Sequence, residues 1–274
     1  MDGHSETALE LLQWYRAAGV DEAVADTPCD WANLGAAPVL ELPAEAEADR
    51  LPPIRPERAS PPQPVTRAKP AAPLDGSALA ARDLARQAPD LAALEAALAG
   101  FEGCSLKKTA KHLCFARGNP QARLMLIGEA PGRDEDLEGR PFVGRAGRLL
   151  DKMLAAIGLG ENDAYITNVV YWRPPGNRTP TPQEVQACQP FVERQIELVA
   201  PDVLVLLGGA AAKQMLGTEE GIMKLRGKWR GYASGERSIK TMATLHPAFL
   251  LRTPAAKRQA WRDLLLIEAA LKQE

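Results

Sequence analysis

The chain has 274 residues, of which 46% are hydrophobic and 25% charged, a balance that suits a folded globular body and excludes a disordered or fibrous chain. No apolar run reaches the roughly 18 residues that a membrane span requires, and no basic start followed by an apolar core opens the sequence. It therefore reads as a cytoplasmic monomer with no membrane partner. The net charge of −2 hides an asymmetry, because residues 1–76 carry 6 Lys+Arg against 13 Asp+Glu and the remainder carries 27 against 22. The modestly basic body suits phosphates, while the acidic leader would avoid them.

The first 30 residues read as a short helical segment. Leu9, Leu11, Leu12 and either Trp14 or Tyr15 stand at helical spacing, with Gly19 near its stop. Two readings stay open for it: docking back on the body, or serving as a handle for a repair or replication protein. Residues 31–76 follow as a linker, since 10 prolines fall among positions 38–73 and such a stretch buries too little to offset its ordering entropy.

From Ser77 to the end, helical stretches alternate with short apolar runs, and 77–274 is expected to be one α/β domain. The runs at 124–128, 164–170, 203–207 and 240–245 read as buried parallel strands. The stretches at 144–157, 182–199, 210–216 and 255–272 read as helices. The pattern predicts a three-layer sandwich around a central four-stranded, mostly parallel sheet, which places ligands beyond the carboxyl ends of the strands.

Those ends carry chemistry. The first closes on Gly128-Glu129-Ala130-Pro131-Gly132, the second on Thr167-Asn168, the third on Gly208-Gly209 and the fourth on His246-Pro247. Taken singly, Glu129 could cap a helix, Asn168 could satisfy a turn and His246 could be a core histidine. Together at one rim they fit base excision, in which a base is extruded and read on its pairing edge. A carboxamide such as Asn168 supplies the acceptor and donor that uracil's N3–H and O4 require. Phe142 offers a stacking face. His246 could donate to the departing base, and Glu129 could position water or oppose a cationic sugar.

These residues resemble the family-4 uracil-DNA glycosylases, over about two thirds of the chain. The resemblance rests on Gly128-Glu129-Ala130-Pro131-Gly132, on 139–147 from Gly139-Arg140-Pro141-Phe142 onward, on Ile166-Thr167-Asn168, on 173–178, and on His246-Pro247-Ala248-Phe249-Leu250-Leu251-Arg252. It implies that Glu129, Asn168 and His246 are catalytic and that Gly128, Ala130, Phe142 and Asn168 hold uracil. Arg178, Leu250, Leu251 and Arg252 would meet DNA, one of the two leucines acting as a wedge in the vacated stack; core packing is the equal alternative for both. Better-known relatives carry a catalytic Asp where this chain has Ala130, and some carry a thymine-blocking Tyr where it has Gly132.

The resemblance also implies a [4Fe–4S] cluster on four cysteines, and here the chain departs from it. Cys104 and Cys188 match two ligands, whereas the other two positions hold Phe101 and Trp172. Two thiolates do not hold a cubane, so no cofactor is expected, and the two rings would fill the space instead. Cys29 and Cys114 are poorly placed as substitutes. The expected activity is a monofunctional glycosylase that leaves an abasic site. Its rival is a degenerate relative that binds uracil or single strands without excision. A phosphate-binding enzyme using 128–132 as an anion loop is a weaker alternative, because no Walker-type or dinucleotide glycine motif is present.

Overall fold

The structure, a computed structural model, describes residues 76–272. The expected leader helix at 1–30 and all of the expected linker at 31–76 except Gly76 lie outside the described residues. Among the described residues no helix is long and apolar enough to cross a membrane.

Two helices that the sequence reading did not single out, α1 (Gly76–Gln87) and α2 (Leu91–Gly100), come first, and Asp90 caps the second through the Ala93 amide at 2.8 Å. The sheet then builds from β1 (Arg117–Gly118), β2 (Leu124–Gly128), β3 (Ala164–Asn168), β4 (Val203–Leu207), β5 (Trp229–Ser234) and β6 (Arg237–Thr244). Between β2 and β3 lie α3 (Arg133–Glu138) and α4 (Arg145–Ala155), and α5 (Pro182–Val199) joins β3 to β4. After β4 come α6 (Gly209–Leu216) and the single turn α7 (Ile222–Leu225), and after β6 come α8 (Pro247–Arg252) and α9 (Lys257–Lys272).

Among the described residues the sheet has six strands, in the order β1-β3-β2-β4-β6-β5, where four were expected. The four expected strands form its parallel centre, and β1 and β5 add antiparallel edges. Both edges escaped a search for apolar runs for physical reasons. β1 is two residues long, and β5 (WRGYAS) is a half-exposed edge with a charge inside it.

Alternation along the buried strands divides the core. Met125, Ile127, Leu204 and Leu206 face α1, α2, α5 and α6, contacting side chains such as Ala81, Leu98, Phe191 and Ala212. Leu124, Leu126, Ile166 and Val205 face α4, α8 and α9, meeting Leu150, Leu250 and Leu264. Helices thus cover both faces, as the three-layer expectation required. Because β3 lies on one side of β2 and β4 on the other, the order of travel reverses at β2, which sets a crevice at the carboxyl ends.

Two buried polar assemblies fix those ends. Under β3, Gln195 receives the Tyr171 hydroxyl at 2.7 Å and donates to the Tyr165 hydroxyl at 2.9 Å, while Thr167 donates to the Phe115 carbonyl at 2.7 Å. Beside β6, the Asp263 carboxylate accepts from Thr244 at 2.6 Å and from Arg226 at 2.6 and 3.1 Å. Burial raises the Asp263 pKa in spite of these partners, so the pair is a costly charge that the rest of the fold must hold in place. Asp263→Ala would strand the Arg226 guanidinium, whose side chain is only 16% exposed. A loss of roughly 3 kcal/mol is expected, read as a lower urea midpoint with an unchanged slope.

Candidate functional site

The rim of the crevice begins at Gly128, the last residue of β2, which lies opposite Asn168, the last residue of β3. A Cβ on Gly128 would overlap both Asn168 Oδ1 and the edge of the Phe142 ring. The carboxamide and the ring therefore converge on one point, and glycine is the residue that leaves it open.

Asn168 is 1% exposed, and among the described residues no donor reaches its Oδ1. An orphaned acceptor at this depth costs about 1–3 kcal/mol, so its retention points to a ligand donor. Phe142 is held at φ +56, which a bulky residue rarely adopts. Its carbonyl occupies the space a Cβ would take at Gly147, so that glycine permits the close approach.

His246 stands beside this ring, with ring centroids 5.6 Å apart. It caps α8, and its Nδ1 accepts the Ala248 amide at 3.1 Å. That bond commits the proton of the neutral imidazole to Nε2. Burial, with a smaller push from the Arg252 charge, lowers the His246 pKa to about 4, so the ring is neutral near pH 7 and acts as a single N–H donor. Gly208, at φ +94, lets the β4 end pass against the His246 Cβ.

Glu129 and Ala130 are half-buried in the loop after β2. Burial raises the Glu129 pKa, and a hydrogen bond from the Thr179 side chain partly opposes this. Ala130 contributes no polar group, leaving Glu129 as the one carboxylate at 128–132.

A residue that the sequence reading missed holds the two loops together. Glu135 Oε2 accepts the Gly132 amide at 3.0 Å and its Oε1 accepts the Gly144 amide at 2.9 Å. One buried carboxylate thus clamps the loop of Glu129 to the loop of Phe142. The available signal was Gly132-x-x-Glu135 at a helix start, the spacing of a capping box.

The expected DNA contacts fare unevenly. Leu250 is 1% exposed and belongs to the core cluster that includes Leu126, Leu149 and Leu264, which favours core packing, the alternative the sequence left open for it. Leu251 is half-buried, and Arg252 is exposed. Arg178 donates to both oxygens of Glu184 at 2.7 and 2.8 Å, which occupies its guanidinium within the fold. That pairing holds the Glu184 carboxyl down at about 2.

The four positions expected to match cluster ligands do come together. Phe101, Cys104, Trp172 and Cys188 are 4%, 1%, 3% and 0% exposed and belong to one core cluster. The Phe101 ring packs on Phe191 at 5.3 Å, and the two sulfurs lie 3.8 Å apart. Two of these four side chains are rings with no ligating atom, so the four residues do not fit a cubane with four thiolate ligands. Cys114 donates to the Glu135 carbonyl at 3.1 Å, and burial pushes its thiol up to about 12, which disqualifies it as a replacement thiolate. Among the described residues no group of three His, Cys, Asp or Glu side chains is placed to hold a metal.

Residues 115–265 match the family model of the uracil DNA glycosylase superfamily. The chain is 43% identical over 164 residues to a type-4 uracil-DNA glycosylase of Archaeoglobus fulgidus, covering 58% of this chain and 82% of that one. It is 40% identical over 174 residues to the type-4 enzyme of Thermotoga maritima, covering 62% and 89%. A type-5 uracil-DNA glycosylase of Thermus thermophilus is 36% identical over 115 residues, covering 36% and 52%.

Glu135→Ala would free both loop amides at once. Faster hydrogen exchange at Gly132 and Gly144 and a stability loss of about 2 kcal/mol are expected, with helical content retained.

Proposed function

The chain belongs to the uracil DNA glycosylase superfamily, and from that membership we propose that it draws uracil out of DNA into the crevice at Gly128 and hydrolyses its N-glycosidic bond. The observation that carries the residue roles is the orphaned Asn168 Oδ1, buried against the Phe142 ring at the one point where a side chain is missing. In this reading Oδ1 accepts uracil N3–H and the carboxamide NH2 donates to O4, while Phe142 stacks on the pyrimidine face. Cytosine carries no proton at N3, so it would leave the acceptor unmet and be rejected.

As the C1′–N1 bond breaks, its electron pair moves onto the base and develops charge at O2. The Nε2–H of neutral His246 donates to that oxygen; a neutral donor holds the leaving anion without first surrendering a proton to solvent. Water adds to C1′, and Glu129 accepts its proton or, earlier, opposes the positive charge on the sugar. Burial makes this carboxylate a stronger base than an exposed one, which supports the first role. Leu251 and Arg252 are the proposed DNA contacts of the α8 loop, the leucine entering the vacated stack. Arg178 remains a proposed backbone contact through its exposed side, with Glu184 holding it in position. The chain is proposed to act as a cytoplasmic monomer.

No iron–sulfur cluster is needed in this scheme. The two rings among the four ligand-matching positions support a chain that folds without one. Protein purified under nitrogen is expected to hold well below one iron per chain and to excise uracil undiminished by an iron chelator.

The deciding experiment uses a labelled oligonucleotide with a single uracil, followed by alkaline cleavage. Wild-type protein is expected to give strand scission, and Asn168→Ala to lose at least about 100-fold in rate. No scission on either single strands or a U·G duplex would leave a DNA-binding relative without chemistry.

The pH profile tests Glu129. A base with a raised pKa is protonated, and lost, at a higher pH than an ordinary glutamate as acid is added. An acid limb is therefore expected with its midpoint above that of an ordinary glutamate, and Glu129→Gln should abolish that limb along with most of the rate. With its pKa near 4, His246 should contribute no limb between pH 6 and 7.

A further inference from the structure

The two sulfurs left at the family's ligand positions have a chemistry of their own, independent of the excision reading. The S–H of Cys188 points at Cys104 Sγ, with 3.8 Å between the sulfurs. A disulfide forms at about 2.05 Å, so closure needs a movement of under about 2 Å. One partner can supply it. Cys188 sits within α5, an 18-residue helix, whereas Cys104 stands in extended backbone at the start of the four-residue turn Ser105–Lys108. The third described thiol, Cys114, is occupied with the Glu135 carbonyl and offers no competing partner.

We propose that Cys104 and Cys188 are a modification site, a dithiol that peroxide converts reversibly into an intramolecular disulfide tying the Ser105–Lys108 turn to α5. The bond would close a loop across 84 positions of sequence, crosslinking the same two segments that a cluster would otherwise join. In the first step the Cys104 sulfur attacks hydrogen peroxide. An S–O bond forms, the O–O bond breaks, and the thiol proton leaves with the departing oxygen as water. In the second, Cys188 sulfur attacks the Cys104 sulfenic acid; the S–S bond forms, the S–O bond breaks, and the remaining thiol proton leaves with that oxygen as a second water. Two electrons pass from the sulfurs to the peroxide, and a dithiol reductant reverses the change.

The order of attack follows the hydrogen bond. The Cys188 S–H stabilises the negative charge that develops on the Cys104 sulfur as it attacks, and Cys188, held within α5, follows as the resolving thiol. Exposures of 1% and 0% require a brief opening of the short turn before peroxide enters, so oxidation should take minutes to hours.

The test treats the full chain with hydrogen peroxide and caps the remaining thiols. Mass spectrometry of the digest then follows. The expected product is one crosslinked peptide pair joining Cys104 to Cys188, lighter by two hydrogens and reversed by dithiothreitol. The melting temperature should rise by roughly 5–10 °C. Cys104→Ser and Cys188→Ser should each lose both the crosslink and the shift; Cys104→Ala serves should the serine variant fold poorly. The proposal is overturned by both thiols remaining free, by crosslinks running instead to Cys29 or Cys114, or by separate oxidation of each sulfur to sulfinic acid. Stoichiometric iron in anaerobically purified protein, with both thiols protected from capping, would also overturn it. Excision is measured on the same samples, so failure of the crosslink and failure of the glycosylase reading are told apart.

Discussion

The rim is organised by an absence, the missing side chain at Gly128. Parallel pairing sets Gly128 directly opposite Asn168, so the two strand ends bring a bare backbone and a buried carboxamide to the same level. The Phe142 ring reaches the same point from the loop after α3, and any Cβ there would collide with both groups. Strand register therefore decides the chemistry. A slip of one residue would turn Asn168 to the other face of the sheet and put Ile127 where the opening stands. The long apolar side chains on both faces of β2 make such a slip costly, so the packing that stabilises the fold also aligns the pocket.

Several groups around that opening are held against their own preferences. Phe142 has a left-handed backbone, Asn168 has an unmet acceptor, and His246 is kept neutral by burial. Each of these is unfavourable in isolation, and together they require a frame that does not relax. Glu135 supplies part of it by tying two loops through one carboxylate, and the Gln195 network stiffens β3 just below Asn168. Asp263 acts similarly at the β6 end, bonding Thr244 two residues before His246. The Gln195 and Asp263 assemblies thus lie next to strand ends, where precision of placement matters more than net stability.

How much of this was readable from the chain follows from what kind of signal each part leaves. The central strands are continuous apolar runs because both of their faces are buried, and a run of that kind survives in sequence. β5 keeps one edge to solvent and includes Arg230, so its pattern dissolves into its surroundings. Glu129, Asn168 and His246 could be singled out because they stand at or just beyond the ends of such strands. Glu135 was not, since an acidic residue in the first turn of a helix is ordinary, and its second bond, to Gly144, depends on a loop nine residues away. Leu250 and Leu251 look alike in sequence; only the direction of α8 against α4 and α9 tells the buried one from the half-buried one. The bond from Arg178 to Glu184 likewise depends on where α5 begins, which Thr181 and Pro182 fix.

Phe101 and Trp172 set one kind of cohesion beside another at the positions that the resemblance matches to cluster ligands. A cubane joins distant segments through a few strong bonds, and it demands four thiolates in a fixed arrangement. Phe101 and Trp172 join those segments through area. Both are nearly fully buried, and Phe101 rests on Phe191 of α5, the helix that also carries Cys188. Burying two such rings is worth several kcal/mol, on the order of what a small crosslink contributes. Packing alone is enough to keep the two sulfurs beside these rings buried as small apolar groups. They lie side by side, with one thiol aimed at the other, where α5 meets the start of the Ser105–Lys108 turn. Burial by itself does not require two sulfurs to face one another, so the aim of the Cys188 S–H at Cys104 is a property of how the turn meets α5.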